Sequence, residues 1–247
     1  MTDRNIKLTI EYDGTNYAGW QRQTNAPSIE AELEAAIGRI VQERISLTGA
    51  GRTDAGVHAL GQVANFHTAS RLPLTNILRG ANSLLPRDIA IVAIEEVPDK
   101  FNARRSALLR WYRYCILNRP APSPIAATFC WHVPQQLKAQ SMLGIADMLH
   151  GTHDFKGFRS QVCTAKRTVL TMETSTITFD EPHITIDLKC RSFLHNMVRI
   201  IVGLMVEAGK GKIQPRVCRE MLDNGIRDPK IPTAPPQGLT LMKVSYK

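Results

Sequence analysis

The segment Gly49-Ala50-Gly51-Arg52-Thr53-Asp54-Ala55-Gly56-Val57-His58-Ala59 is the most informative stretch of the chain. Three glycines surround one arginine and one carboxylate. The backbone can therefore adopt conformations closed to other residues, and a bulky ligand can approach it closely. No Gly-Lys-Ser/Thr follows at the spacing of a phosphate-binding P-loop. From the residues alone two interpretations stay open: Asp54 caps a turn with Arg52 solvating it, or Asp54 is an exposed carboxylate in a concave site.

Hydrophobic patterns on both sides of this segment predict an α+β fold. Alternation predicts strands, and apolar residues at helical spacing predict helices. The first half is predicted to contain a strand at Ile6 to Tyr12, a helix after a Ser28 cap to Val41, strands within Ser46 to Thr68, a helix at Pro73 to Leu85 and a buried strand at Ile89 to Val97.

The second half repeats this plan in pattern, although not in sequence identity. It is predicted to contain a strand at Trp111 to Leu117, a helix at Ala139 to Leu149, a hairpin of Val169 to Phe179 and His183 to Lys189, helices at Phe193 to Ala208 and Pro215 to Leu222, and a closing strand at Leu239 to Tyr246. We therefore expect two α+β domains, residues 1–105 and residues 106–247.

The composition limits the cellular compartment and the class of binding partner that we expect. Thirty-one basic residues against twenty-two acidic ones give a net charge of +9, which indicates either a polyanionic partner or solvated basic faces. The five cysteines are odd in number, and none are paired at the two-residue spacing of zinc and redox sites. No apolar signal region or membrane-spanning stretch is present, so we expect a cytoplasmic protein without structural zinc.

The glycine-rich segment resembles the catalytic loop of the tRNA pseudouridine synthase A family nearly residue for residue from Gly51 to Ala59. Other family-like stretches follow in family order and span nearly the whole chain. They are Glu11-Tyr12-Asp13-Gly14, Gly19-Trp20-Gln21-Arg22-Gln23, Phe101-Asn102-Ala103-Arg104, Tyr112-Arg113-Tyr114, His153-Asp154-Phe155, His195-Asn196-Met197-Val198-Arg199 and Gly238-Leu239-Thr240-Leu241.

This resemblance implies a fold, an activity and a partner. The fold is two ferredoxin-like (RRM-like) α+β halves that form a continuous, mainly antiparallel sheet, with helices on one side and a central active cleft. The activity is isomerisation of uridine to pseudouridine at positions 38, 39 and 40 of the tRNA anticodon stem-loop. The family resemblance implies a homodimer and no metal, nucleotide or redox cofactor.

The resemblance also assigns roles to four residues. Asp54 matches the essential catalytic aspartate, and Arg52 matches the arginine that helps to displace the target base. Tyr112 matches the active-site tyrosine and Arg199 the basic partner of the aspartate. Asn102 and Arg105 depart from the family pattern, which leaves fine substrate preference open.

The chemistry agrees with a site built around one carboxylate. The reaction breaks the bond between ribose C1′ and uracil N1, joins C1′ to C5 and removes the C5 proton. Asp54 could attack the sugar, attack the base or abstract a ribose proton, and the sequence leaves all three open. Burial disfavours an ionised carboxylate, so a nearby cation is needed.

Arg199 suits the role of that cation because it lies on a polar or small stripe of an otherwise apolar helix. The stripe consists of Ser192, Asn196, Arg199, Gly203 and Glu207. An arginine held by packing can pair with a carboxylate in bidentate fashion. The alternative is a structural ion pair between Arg199 and Glu207.

Alternation along the predicted strand places Tyr112 and Tyr114 on one face, and Trp111 and Arg113 on the other. The tyrosine face could stack a flipped base. A buried core position is the alternative for one of the two tyrosines, and the resemblance selects Tyr112 as the ligand.

Other signals are weaker. His58 and His67 are nine residues apart without a third ligand at a convincing spacing, so we expect structural or RNA-facing roles for them. The basic residues Lys156, Arg159, Lys166 and Arg167 suit either phosphate contact or a solvated loop.

The main rival function is a non-catalytic RNA-binding module, since ferredoxin-like halves with strand aromatics also bind RNA. Asp54 discriminates between the two, because a carboxylate among phosphates would only weaken a pure binder. A hydrolase or metal enzyme is more distant, because the chain lacks ligands at suitable spacing.

Overall fold

The computed structural model describes residues 3–247 and divides them into two compact units. The first unit comprises residues 3–108 together with 241–247, and the second comprises residues 109–240. The closing strand thus returns to the first unit. The boundary at residues 105 and 106, inferred from the sequence, stays a prediction.

The first unit contains a mainly antiparallel sheet and two helices. Its strands lie in the order β4-β1-β3-β10, and β2 pairs with β3. Strand β1 is antiparallel to both β3 and β4. The elements are β1 (Arg4–Tyr12), α1 (Ile29–Val41), β2 (Thr48–Gly49), β3 (His58–Thr68), α2 (Leu74–Leu84), β4 (Ile89–Val97) and the later part of β10 (Leu239–Ser245).

The end of strand β1 lies beside the glycine-rich segment. Its alternating residues Ile6, Leu8 and Ile10 are fully buried, which confirms the predicted half-buried strand. The pairing with β3 shifts after Ile10, so that Tyr12 lies opposite Ala59. The bulge therefore places Tyr12 beside the point where the segment enters β3.

The helix α1 begins where predicted, but its cap differs from the prediction. Ser28 occupies the N-cap position with an extended backbone, yet its side chain makes no capping hydrogen bond. The hydroxyl is buried instead. The start of α1 is thus fixed by backbone contacts, which include the Ile29 and Glu30 N–H groups donating to Gly19 and Trp20 carbonyls at 3.2 and 3.0 Å.

The second unit has strands in the order β5-β9-β8-β7, all antiparallel, and a short β6 that runs parallel to β5. The elements are β5 (Leu109–Leu117), β6 (Trp131–His132), α3 (Ala139–Leu149), β7 (Gly151–Asp154), a 3-10 turn (Phe155–Phe158), β8 (Val169–Asp180), β9 (His183–Cys190), α4 (Met197–Gly209), α5 (Arg216–Asn224) and a second 3-10 turn (Pro236–Gly238). The predicted mainly antiparallel α+β fold is confirmed.

Helix α4 begins four residues later than the sequence pattern predicts. Asn196 has a φ of 62°, in the left-handed region, which a right-handed helix does not allow. Ser192 and Asn196 therefore lie outside the helix. From Met197 to Gly209 every residue except Arg199 and Glu207 is buried, because the rest of the helix is apolar or small. No helix within residues 3–247 is both long and apolar enough to span a bilayer.

Candidate active site

The glycine-rich segment forms a loop, residues 50–57, between β2 and β3. Its beginning is tied to β3 by two hydrogen bonds. The Ala50 N–H donates to the Val63 carbonyl at 2.7 Å, and the Gln62 side-chain amide donates to the Gly51 carbonyl at 2.8 Å. We call residues 50–57 the aspartate loop.

Burial alternates at the centre of the aspartate loop. Arg52 is exposed, Thr53 is buried and Asp54 is partly exposed. The Thr53 hydroxyl lies 2.8 Å from the hydroxyl of Tyr12 on β1. Thr53 therefore anchors the loop inward, while its two charged neighbours stay at the surface.

Asp54 also begins a tight turn. Its carbonyl accepts a hydrogen bond from the Val57 N–H at 3.2 Å, and Gly56 has a φ of 75°. A positive φ at the third turn residue favours glycine. The predicted turn is thus present in the Asp54 backbone. It fixes the position of the Asp54 Cα, from which the partly exposed side chain extends.

A second segment, residues 13–20, braces the aspartate loop, and we call it the bracing segment. The Trp20 N–H donates to the Thr53 carbonyl at 3.1 Å, and the Gly56 N–H donates to the Tyr17 carbonyl at 3.3 Å. Gly19 has a φ of 103°, and a Cβ there would lie 2.5 Å from the Thr53 carbonyl oxygen. The close approach of the two backbones therefore requires glycine.

The bracing segment is itself held by the residue that precedes β4. The Tyr17 hydroxyl donates to the Asp88 carboxylate at 2.6 Å, and the Asp13 N–H donates to the Asp88 carbonyl at 2.9 Å. Burial and the bond to Asp88 raise the pKa of Tyr17. Tyr17 consequently stays a neutral donor, and the brace is connected to the sheet.

His58 has a structural placement. It is buried, and its Nδ1 lies 3.0 Å from the Asp13 carboxylate. Although burial alone would raise the pKa of Asp13, hydrogen bonds from Thr15 and the nearby His58 lower it. His67 lies 3.2 Å from Asp99, a different carboxylate. Within residues 3–247, no group of three or more His, Cys, Asp or Glu side chains is arranged to hold a metal.

In the second unit, Arg199 is fixed against the segment that precedes the second 3-10 turn. Its Nε donates to the Ala234 carbonyl at 2.7 Å, and its own carbonyl accepts from the Ala234 N–H at 3.0 Å. Its Nη1 donates to the Asn196 side chain at 3.3 Å. Two hydrogen bonds thus hold the guanidinium in place, and a third, between the two backbones, fixes Arg199 against Ala234.

The remaining members of the predicted polar stripe have other tasks. A Cβ at Gly203 would collide with the Pro232 carbonyl, so glycine allows the chain to cross α4 closely. Glu207, the alternative partner for Arg199, has its carboxylate 2.8 Å from Lys210 and 3.5 Å from Lys212.

The two faces of β5 are those that the alternation predicts. Tyr112 and Tyr114 are both buried. The Tyr114 hydroxyl donates to the Pro235 carbonyl at 2.8 Å, which makes Tyr114 a core tyrosine. The Tyr112 and Phe193 rings pack in a T-shaped arrangement, with ring centroids 5.2 Å apart.

The predicted basic cluster surrounds a buried aromatic pair. Phe155 and Phe158 are fully buried, while Lys156, Lys166 and Arg167 are exposed. The cations therefore lie at the surface above a packed base, an arrangement that permits either phosphate contact or simple solvation.

Comparison with known proteins decides the family. The model of a family described as tRNA pseudouridine synthase matches residues 8–104 and 145–247. A tRNA pseudouridine synthase A from Pelobacter propionicus is 45% identical over 98% of this chain and 100% of the relative. A tRNA pseudouridine synthase A from Thermoanaerobacter pseudethanolicus is 43% identical with the same coverage.

The chain belongs to the tRNA pseudouridine synthase family. The predicted family and enzyme class, an isomerase, are confirmed. The rival interpretation, a non-catalytic RNA-binding module, is therefore set aside. Among solved structures, one of a Cbf5-Nop10-Gar1 complex covers 82% of this chain and 54% of its own, with a TM-score of 0.34 and 11% identity, which is too distant to bear on the fold.

The structure shows contacts to the aspartate loop that the sequence analysis missed. The sequence pattern singled out Asp54, Arg52, Tyr112 and Arg199 but assigned no role to Tyr12, Tyr17 or Gly19, which hold the aspartate loop in the structure. The available signal was that Tyr12 and Gly19 lie in two family-like stretches upstream of the loop, whereas Tyr17 lies between those stretches. Pattern alone could not show which of those residues contact the aspartate loop.

Proposed function

We propose that this chain isomerises uridines 38, 39 and 40 of the tRNA anticodon stem-loop to pseudouridine, with Asp54 as its catalytic carboxylate. The observation that carries the proposal is a partly exposed aspartate held in a loop braced from two sides. A reacting group must be held in a narrow range of positions, because misplacement by about 1 Å can lower a rate on the order of a hundredfold.

The overall reaction is balanced without an external reagent. The C1′–N1 bond breaks, a C1′–C5 bond forms, the C5 proton leaves for solvent and N1 gains a proton. Asp54 acts as a nucleophile or as a base during this sequence. No metal, nucleotide or redox cofactor is needed for any of these steps.

Three further residues are proposed to bind the substrate. Arg52, exposed beside Asp54, stabilises the opened RNA backbone while the uridine is displaced. Tyr112 contacts the displaced base, and its ring is already fixed by Phe193. Arg199 supplies positive charge for the catalytic carboxylate, and its contact with Ala234 preorganises it for that role.

The proposal includes the partner and the setting. A net charge of +9 suits a polyanionic tRNA, and exposed lysines and arginines such as Lys156 and Lys166 would contact phosphates. By resemblance to the family, the working form is a homodimer in the cytoplasm.

The test uses tRNA transcripts labelled with tritium at uracil C5. We expect the protein to release tritium into water from transcripts with uridine at position 38, 39 or 40, and EDTA should not change the rate. A matched transcript with cytidine at all three positions should release none. Release that persists from the cytidine transcript would refute the target positions, and no release from any transcript would refute the reaction.

A further inference from the structure

Two cysteines that are 15 residues apart in the sequence lie in contact in the second unit. Cys115 lies on β5 and Cys130 directly precedes β6, and their Sγ atoms are 2.7 Å apart. This separation is shorter than van der Waals contact between two sulfur atoms. A small movement of either side chain would bring the pair to bonding distance.

The strand pairing explains why the two residues meet. Strands β5 and β6 run in parallel, with Ile116 opposite Trp131. Cys115 and Cys130 each stand one residue before this pair, so they extend the same register. Neighbouring strands are about 4.8 Å apart, which lies within the Cα separation of roughly 4.4 to 6.8 Å that disulfides adopt.

We propose that Cys115 and Cys130 are a redox modification site that forms a reversible disulfide when the protein meets a peroxide. The site is independent of the proposed action on tRNA, since neither cysteine belongs to the residues proposed to bind or isomerise uridine. The bond would fasten the long connection between β5 and β6 to the strand that it leaves.

The environment of the pair favours a reactive thiolate. The hydrogen bond between the two thiols lowers the pKa of Cys130, and the same contact, together with burial, raises the pKa of Cys115. The contact therefore favours ionisation of Cys130 over ionisation of Cys115. Cys115 is partly exposed, which gives a small oxidant a route to the pair.

The chemistry needs one peroxide molecule per disulfide. The Cys130 thiolate attacks one peroxide oxygen, the O–O bond breaks, and a sulfenic acid and water form after proton uptake. The Cys115 sulfur then attacks the sulfenic sulfur, its proton leaves with the hydroxyl as a second water, and the S–S bond forms. Two thiols are oxidised and one peroxide is reduced. A dithiol reagent reverses the change.

The other three cysteines provide internal controls. Cys190 and Cys218 are fully buried, and burial raises the pKa of Cys190 and raises that of Cys218 to about 12. Both should resist oxidation. Cys163 is partly exposed, so it reports on oxidation that depends on exposure alone.

The experiment treats the folded, full-length protein with equimolar hydrogen peroxide and then alkylates it with iodoacetamide in denaturant. We expect three alkylated thiols of the five, and five after dithiothreitol. Chymotrypsin cleaves after Leu117 and Phe129, so mass spectrometry should find the Cys115 and Cys130 peptides joined. The oxidised protein should melt roughly 5 °C or more above the reduced one, because the bond closes a loop.

Three variants separate the site from general oxidation. Cys163→Ser should still lose two thiols to peroxide, whereas Cys115→Ser and Cys130→Ser should form no linked peptide. The proposal fails if the wild type keeps both thiols, if the linked peptides involve other cysteines, or if peroxide oxidises Cys163 while the Cys115–Cys130 pair stays reduced.

Discussion

Arg52 is an exposed cation near the proposed catalytic carboxylate, Asp54, with buried Thr53 between them. Displacing a stacked uridine takes on the order of a few kcal/mol, so a group that stabilises the opened backbone is valuable. We expect Arg52→Ala to lose roughly tenfold or more in tritium release on folded tRNA, with a much smaller loss of binding.

A mismatch at the target pair makes extraction easier and should partly restore the Arg52→Ala variant. Arg52→Lys should recover only part of the activity, because lysine keeps the charge but lacks the planar fork and stacking face of arginine. Equal losses on mismatched and paired substrates would show that Arg52 is an ordinary phosphate contact.

Tyr12 contacts the aspartate loop through its hydroxyl group. Its hydrogen bond with Thr53 fixes the centre of the aspartate loop, so Tyr12→Phe should lower kcat severalfold and destabilise the protein by about 1 kcal/mol. Tyr246→Phe is the matched control, since its hydroxyl donates to the Ala103 carbonyl at 2.8 Å, away from the loop. Urea unfolding and tritium release measure both effects. Similar losses of activity in the two variants would contradict a positioning role for Tyr12.

The backbones of two neighbouring segments, the bracing segment and the aspartate loop, lie in direct contact. Gly19→Ala should separate them, because its Cβ would meet the Thr53 carbonyl and its φ is 103°. We expect a loss of activity of roughly tenfold or more and a destabilisation of about 1 to 3 kcal/mol.

Gly144→Ala on α3 is the corresponding control, since nothing lies within 4 Å of a Cβ there. In a helix interior this change should stabilise by roughly 0.5 to 1 kcal/mol and leave tritium release unchanged. If Gly19→Ala were as active as Gly144→Ala, the brace would be dispensable.

Most elements were predictable because their signals are local. The strand Ile89–Val97 and the helix Ala139–Leu149 have the predicted bounds, since each is marked by a clear run or period. The predicted start of α4 was wrong because the apolar residues Phe193 and Leu194 extend the helical pattern upstream of Asn196, whose backbone is left-handed. Periodicity does not report backbone handedness at a single residue.

The candidate site was predictable in its residues but not in its supports. Asp54 and Arg52 stand in a compact motif, whereas the bond between Tyr12 and Thr53 joins residues 41 positions apart. The contact between Cys115 and Cys130 was likewise invisible to a search for closely spaced cysteines. Such contacts depend on strand pairing and bulges, which a sequence pattern does not specify.

At the scale of the whole molecule, the bond between Tyr17 and Asp88 contributes pH-dependent stability. Because the pKa of Tyr17 is raised in the folded state, this contribution is fully present below the unfolded value of about 10 and is lost as the pH rises above it. Tyr17→Phe should destabilise by about 1 to 3 kcal/mol at pH 7. The difference between the free energies of unfolding of wild type and variant, measured with urea, should decrease above about pH 10. A constant gap from pH 7 to 11 would contradict this account.

We propose that the molecule as a whole positions one carboxylate, that of Asp54, for reaction with a tRNA uridine. The most direct measurement compares wild type with Asp54→Asn, which keeps the side-chain shape, in tritium release from tRNA labelled at uracil C5, with tRNA binding measured in parallel. We expect no detectable release by Asp54→Asn and binding within about threefold of wild type, because the change removes the reacting group and no phosphate contact. Substantial turnover by Asp54→Asn, or by Asp54→Ala, would refute the proposed role of Asp54.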